Sequence, residues 1–394
     1  MSESPGAAAL RAAAHRTAAQ LGHDTRRTPG NHVVPMSGTT VEIRLFLPWT
    51  RPAWPAAGHT RPVNARLREL LAAPFRHGAR VKAVDAIGGL SVSAYVAPER
   101  SLAFLTALAR LPELMPDMAV PLPPGEPVAS GSPDESIEDV ARRQALRLLP
   151  AGPDRTPAED HTRPDWGRAH LVVVGPVDHR ADIPTWAASH TPSVSPAVNA
   201  PDSPSGPHEG RHTHDVSAVG IVCPLSGAPA AEELAATVVG GSHAADLVEI
   251  LRERLGIAYA PDMVVHRRAG LPHLWTWLPV APQHFRLLTR TVALATSRPR
   301  RCDEDRLDRA KSHLAGKLER ALCEPRALAN LLVGHPPHGS GPESLRDHYM
   351  TVADTSPHEV DAAAERLLAR RAVLVMGPDN TSEALENAFS HHGG

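Results

Sequence analysis

Two short apolar runs, each stopping at Gly-Pro, close two stretches of this chain that are similar in length. Leu171-Val172-Val173-Val174-Gly175-Pro176-Val177-Asp178 ends the first, and Val373-Leu374-Val375-Met376-Gly377-Pro378-Asp379 ends the second. Such a run reads as a buried strand that stops at a turn. Upstream in each stretch, a helix-like segment leads into a Gly and then into an apolar strand containing a Tyr. The pairs are Arg80 to Gly88 followed by Leu90 to Val96, and Ala244 to Gly256 followed by Ile257 to Val265. Duplication of one α+β unit is the economical reading, and it restricts the chain to two homologous copies of one topology.

Length agrees, because 394 residues correspond to two or three domains at roughly 150 each, and 42% hydrophobic content supplies a core to each. The run from Ser189 to Gly210 is dense in Ser, Pro, Asn and Gly, which propagate neither a helix nor a sheet ladder. It places a linker at 187–211, between a first domain at 31–186 and a second at 212–394. Residues 1–30 lack a sustained period and are expected to be a disordered tail. The stretch Pro112 to Pro133 reads as a loop inside the first domain. Further strands are expected at Val41 to Leu47, Val216 to Pro224 and Leu274 to Pro279. Helices are expected at Asn64 to Ala73, Leu102 to Leu111, Ile137 to Leu149, Ala231 to Val239, Gln283 to Thr296, Asp303 to Cys323, Pro325 to Val333 and Pro357 to Arg370.

Composition narrows the function classes. The net charge of −2 carries no clustered basic excess, which disfavours a nucleic-acid partner. Cys223, Cys302 and Cys323 are odd in number and widely spaced, so neither a disulfide framework nor a CxxC metal site is expected, and a reducing cytoplasm is the simplest compartment. Arg11, His15 and Arg16 interrupt any apolar signal core, and no run approaches 18 consecutive apolar residues, so no membrane association is expected.

The segment with the most chemistry runs Gly240-Gly241-Ser242-His243-Ala244-Ala245-Asp246-Leu247-Val248-Glu249-Ile250-Leu251-Arg252-Glu253-Arg254-Leu255-Gly256-Ile257-Ala258-Tyr259. Leu247, Val248, Leu251 and Leu255 form one apolar helix face, and Gly256 sits where a left-handed residue would stop the helix. Ser242 reads as the N-cap after the Gly pair. Arg252 then flanks the buried stripe and Tyr259 lies on the following strand, so a helix folded back on its strand brings the two side chains together. The plainer alternative is a cation favoured near a helix C-terminus and an ordinary strand aromatic.

From Val33 to Asp379, the order of features resembles the insulinase/pitrilysin-type zinc metallopeptidases (inverzincins), the family that includes mitochondrial processing peptidase and its non-catalytic relatives. The segment just quoted is similar to that family's second-half motif of a Gly pair, a helix with Leu-Arg-Glu, a Gly and then Ala-Tyr. Gly88-Gly89-Leu90-Ser91-Val92-Ser93-Ala94-Tyr95 with Pro98-Glu99-Arg100 resembles its first-half strand, and Val172 to Asp178 resembles its VVVGDVD strand. His32-Val33-Val34-Pro35-Met36 and the helix Ala310 to Val333 also fit the pattern. The resemblance implies a mixed β-sheet in each domain with helices packed on one face, the two domains being related by an approximate two-fold.

The family's zinc site is H-x-x-E-H on a first-half helix, with a further Glu on a later helix; the two His bind the metal and the intervening Glu is the general base. The matching stretch here is Asn64-Ala65-Arg66-Leu67-Arg68-Glu69-Leu70-Leu71, and H-x-x-E-H occurs nowhere in the chain. One carboxylate, Glu69, flanked by arginines does not make the three protein ligands of a catalytic zinc site. No metal is therefore expected on this chain. In family members split over two chains, a partner of the zinc subunit supplies an Arg and a Tyr, which Arg252 and Tyr259 match. The resemblance implies that these two donate hydrogen bonds to the scissile carbonyl as it becomes tetrahedral, while Gly240, Gly241, Ser242 and His243 line the peptide site. It further implies Zn2+ in a homologous H-x-x-E-H partner subunit, a peptide substrate, and a heterodimer. A structural or peptide-holding homologue, or a homodimer that binds extended peptides without cutting them, is the alternative.

Other groups invite chemistry with less support. His212-Thr213-His214-Asp215 has strand-like ligand spacing but borders the linker, His335-Pro336-Pro337-His338 is a proline-stiffened loop, and His391-His392 lie in a tail. The Gly pair lacks the GxGxxG or P-loop lysine of a phosphate site. The three thiols sit in an apolar strand, a charged helix start and a helix end, so buried or incidental roles are expected.

Overall fold

The computed structural model describes residues 3–24, 26–28, 31–49, 57–86, 89–115, 120–121, 138, 141–142, 144–145, 161–177, 207–209, 217–225, 227–259, 261–267, 272–297, 301–334 and 342–376. Thirteen strands are present among them. The first sheet holds β1 (Arg26–Thr28), β2 (Asn31–Pro35), β3 (Val41–Pro48), β4 (Ala79–Ala86), β5 (Gly89–Val96) and β8 (His170–Gly175), in the order β1-β2-β8-β3-β5-β4. A two-stranded ladder, β6 (Val120–Pro121) with β7 (His161–Thr162), stands apart. The second sheet holds β9 (Pro207–Glu209), β10 (Ser217–Pro224), β11 (Met263–His266), β12 (His273–Val280) and β13 (Ala372–Met376), in the order β11-β12-β10-β13-β9.

Read from the hairpin edge, β4-β5-β3-β8-β2 and β11-β12-β10-β13-β9 are one order written twice. Both are antiparallel throughout except for one closing parallel pair, β2 with β8 and β9 with β13. The duplicated α+β unit inferred from the two Gly-Pro endings is therefore present, with β8 and β13 as the strands that carry those endings. The correspondence drawn upstream of them needs correction. Ala79–Ala86 is a strand, not a helix; it forms a hairpin with β5 in which Ala83 pairs with Val92, and its counterpart is β11. Alternation of Val81 and Ala83 with Lys82 serves a sheet better than a helix face.

Each sheet buries one face under helices of its own half. Ile43, Leu45, Val92, Leu171 and Val173 pack with Leu67 and Leu71 of α2 (Ala57–Leu71) and Phe104 and Leu108 of α3 (Pro98–Ala109), beyond which α4 (Leu111–Leu114) follows. Val219, Ile221, Leu274 and Val375 pack with Leu234 of α6 (Pro229–Ala236), Leu288 of α8 (Phe285–Ser297) and Leu367 of α12 (Pro357–Ala369). Local signals set these helices. Asp303 accepts from the Arg306 N–H at 2.8 Å to start α9 (Glu304–Cys323), and Ser356 with Glu359 forms a capping box on α12.

The other face of each sheet is covered from the opposite half. α10 (Pro325–Gly334) packs on β3 and β8, where Val172 and Val174 join its Leu328 and Leu332 in one core. Polar contacts fix that docking: Arg44 pairs with Glu42 at 3.0 Å, donates to Asn330 at 3.3 Å, and stands 5.1 Å from the Tyr95 ring centre, while Arg326 approaches the same ring at 6.0 Å. Burial pushes the Glu42 carboxyl above its ordinary range against the pull of Arg44 and Arg326. Conversely, the helical residues 138, 141, 142, 144 and 145, here α5, bring Ala141 and Ala145 against Val222, Trp275, Leu374 and Met376 of the second sheet. Glu138 accepts from Trp275 Nε1 at 3.2 Å.

The disorder expected over 1–30 does not hold for Pro5–Asp24, which is α1. Ala7, Leu10, Ala13, Ala14, Thr17 and Leu21 are buried on one side of it, against α9 and α11 (Pro342–Asp354). Half of the stripe is alanine, and alanine also recurs on the outer face, so no apolar period marks it in the sequence. Pro207–Glu209, near the end of the linker expected at 187–211, is an edge strand on β13. The rest of the linker, the His212–Asp215, His335–His338 and His391–His392 clusters, and most of the Pro112 to Pro133 loop lie outside the described residues. Pro229–Arg254 is long and apolar enough by composition to cross a bilayer, but 67% of its most apolar window is buried inside the fold.

Candidate functional site

The segment between β10 and β11 is not one regular helix. α6 runs into a π-helical turn, Thr237–Gly241, breaks at Ser242, restarts as the turn α7 (Asp246–Val248), and continues as a second π-helix, Glu249–Arg254. The Gly pair at the first break has a packing cause. A Cβ at Gly240 would stand 2.8 Å from Met263 Cβ and one at Gly241 3.0 Å from Met263 O, so glycine lets the helix end abut β11. The expected Ser242 N-cap is displaced: Ala245 occupies the cap position without a side-chain bond, and its N–H reaches Ser242 O at 3.1 Å.

π winding at the second segment has a direct consequence for the pair. Leu255 N–H bonds Ile250 O at 3.1 Å, one residue further back than in an α-helix. Leu251 O is thereby released from Leu255, and accepts from Ile257 N–H at 2.9 Å and Ala258 N–H at 3.2 Å. Gly256 makes the turn between them at φ +63, the left-handed stop expected for it. Leu251 itself is fully buried, so the returning loop is anchored on the core.

This brings Arg252 and Tyr259 together. The Arg252 Cζ stands 5.6 Å from the Tyr259 ring centre, a cation–π geometry, and Arg252 Nε meets Glu253 at 3.3 Å. Tyr259 sits on the loop ahead of β11 instead of on the expected strand, which begins only at Met263. Its ring is 87% exposed and the Arg252 side chain 43% exposed, so both present donors to the outside. Of the four residues expected to line a peptide site, Gly240 is buried, Gly241 and Ser242 are half-buried, and His243 is exposed. The His243 ring meets His313 of α9 edge-on with centroids 6.4 Å apart. Burial, then Lys317 and His243, hold the His313 imidazole below its ordinary pKa.

The helix that the resemblance aligned with a zinc motif, α2, begins at Ala57, earlier than the expected Asn64, and so includes His59, whose side chain lies outside the described residues. Glu69 is exposed and pairs with Arg66 at 2.7 Å. This donor set does not fit a zinc centre, and among the described residues no group of three His, Cys, Asp or Glu is placed to hold a metal ion. Cys223 and Cys302 are buried, and burial raises their thiols to about 12 and about 11, which keeps both protonated near neutrality; Cys323 is exposed.

Sequence reasoning missed one buried contact at this site. Asp246, the first residue of the restarted helix, pairs with Arg306 of α9, the two side chains being 12% and 5% exposed. Residues so far apart in the chain leave no local signal of such a pairing.

No protein-family profile and no curated protein matches this sequence. Solved structures do match in fold. A peptidase M16 inactive domain from Pseudomonas fluorescens is similar at 14% identity, covering 90% of this chain and 98% of that one, with a TM-score of 0.55. A protease from Helicobacter pylori is similar at 10% identity over 90% of this chain and 98% of that one, with a TM-score of 0.56. A chain of complex III2 from Candida albicans is similar at 13% identity over 94% of this chain and 99% of that one, with a TM-score of 0.53. The α+β architecture of this chain is thus that of M16-type peptidase domains.

Proposed function

We propose that this chain is the metal-free subunit of a two-chain zinc metalloendopeptidase of the insulinase/pitrilysin (M16) type, working in the cytoplasm on small peptides such as a leader. The single observation that supports this is the Arg252–Tyr259 pair. Two hydrogen-bond donors are held together on a π-wound helix and a returning loop, and both face outward. A guanidinium is permanently charged and a phenol is a neutral donor, so both are ready to donate to a carbonyl oxygen near neutral pH. As that oxygen gains negative charge, each donor contributes about 2.7–4 kcal/mol of transition-state stabilisation. On this reading the metal and the attacking water belong to an H-x-x-E-H partner, because that motif occurs nowhere in this chain.

The test is to purify the complex with its H-x-x-E-H partner and compare Arg252→Ala and Tyr259→Phe with wild type. Each is expected to lower kcat by about 10²–10³-fold. Cleavage at the wild-type rate by both would overturn the reading. It would then favour a structural or peptide-holding role, which the fold shared with a complex III chain supports. Mass measurement of the native assembly distinguishes a heterodimer from a homodimer.

A further inference from the structure

We infer that Arg306 is a positioning residue for the Arg252–Tyr259 pair, acting through Asp246; its catalytic consequence rests on the function proposed above. Asp246 opens the helix that carries Arg252, at a start where Ala245 offers no side-chain cap. Its carboxylate is bound instead by the Arg306 guanidinium, whose other arm donates to Arg301 O at 2.7 Å. Arg306 is in turn held at the N-terminus of α9, its own N–H donating to Asp303 Oδ1 at 2.8 Å. The 301–303 loop is tied to α12 by the Cys302 N–H donating to Asp361 Oδ1 at 2.8 Å. One continuous chain of contacts thus runs from α12 and α9 to the start of the Arg252 helix.

The far end of that helix is fixed by Leu251 O, which accepts from Ile257 and Ala258 and so sets the loop bearing Tyr259. Between the two anchors lie only residues 247 to 250. A displacement at Asp246 therefore alters the helical turn leading to Arg252, and moves that side chain against the Tyr259 loop that Leu251 O holds. A buried ion pair broken on one side leaves an uncompensated charge that drives such a displacement. The Arg306 guanidinium acts on Asp246 and on Arg301 O, so its influence on the pair is indirect.

The chain has only three tyrosines, Tyr95, Tyr259 and Tyr349, which makes 19F NMR of the isolated chain labelled with 3-fluorotyrosine a direct readout. Tyr259→Phe assigns the resonance, and Arg252→Met gives its position without the cation. Arg306→Met and Asp246→Asn are expected to move the Tyr259 resonance toward its Arg252→Met position while Tyr95 and Tyr349 keep theirs. If either variant preserves the other two resonances and leaves Tyr259 at its wild-type shift, the inference fails. Should Arg306→Met lose all three native resonances, Asp246→Asn, which keeps size and an acceptor, decides the matter. Global unfolding of both would also overturn the inference, since the ion pair would then support the whole fold and not the pair. In the complex with the zinc partner, Arg306→Met is expected to lower kcat roughly 10- to 100-fold with little change in KM. A Tyr259 resonance that moves, in a complex whose Arg252→Ala form cleaves normally, would sink the proposed function and leave the positioning intact. A resonance that stays, with Arg252→Ala inactive, would do the reverse.

Discussion

Gly240 shows how a residue that invites a functional reading is explained by packing. Its missing side chain is the space that Met263 and Leu247 occupy, so Gly240→Val overpacks the contact between the helix end and β11. The expected loss is about 1–3 kcal/mol of stability, measured by the urea midpoint. His313 provides a second prediction at this scale. Its folded pKa lies below the ordinary value of 6.5, so between the two values the unfolded chain binds more protons than the folded one. Stability therefore falls as pH drops from about 6.5 toward the folded value, and levels off below it. Replacement of His313 by Gln should flatten that part of the stability–pH curve; an unchanged slope in denaturation series from pH 7 to pH 5 would refute it.

At the scale of elements, the π-helix Glu249–Arg254 and the Gly256 stop act together. Nothing stands within 4 Å of a Cβ built at Gly256, so Gly256→Ala meets no clash, and its whole effect is the left-handed backbone at φ +63. That strain is about 1–2 kcal/mol. A drop of this size in the thermal midpoint analysis, with a smaller one for Gly256→Asn, is the expected outcome. Both variants should also weaken the hold of Leu251 O on the Tyr259 loop. The stop and the Arg252/Tyr259 spacing were legible in the sequence because a left-handed Gly after an apolar helical stripe is a local signal. The π winding was not, because it arises where Leu251 is buried and the chain must also return to β11.

The whole molecule is an exchange of helices between halves. The first half sends α1 to α9 and α11, and α5 to the outer face of the second sheet; the second half sends α10 to the outer face of the first. Along α1, Gly6 N–H donates to Asp308 Oδ1 at 2.6 Å, and Arg11 and Arg16 pair with Asp354 and Glu319. Leu10→Ala should cost about 2–5 kcal/mol, because Leu10 is fully buried in that seam. Residues 1–186 and 212–394 expressed separately are each expected to lack a cooperative unfolding transition, and to regain one when mixed. Circular dichroism during urea titration checks this, and a sharp transition in either half alone would contradict the exchange.

Short-range physics was written in the sequence. The Gly-Pro strand endings pointed to the duplication, and Arg252, Gly256 and Tyr259 announced a helix that folds back, since stops and periods act within one or two turns. Tertiary structure alone decided that Pro5–Asp24 is a helix, that Ala79–Ala86 is a strand, and that Asp246 faces Arg306. Each of these depends on a burial partner distant in the chain: an alanine-rich stripe needs α9 and α11 to become a core, a short apolar alternation needs β5 to become a ladder, and a buried carboxylate needs a guanidinium brought to it by the fold.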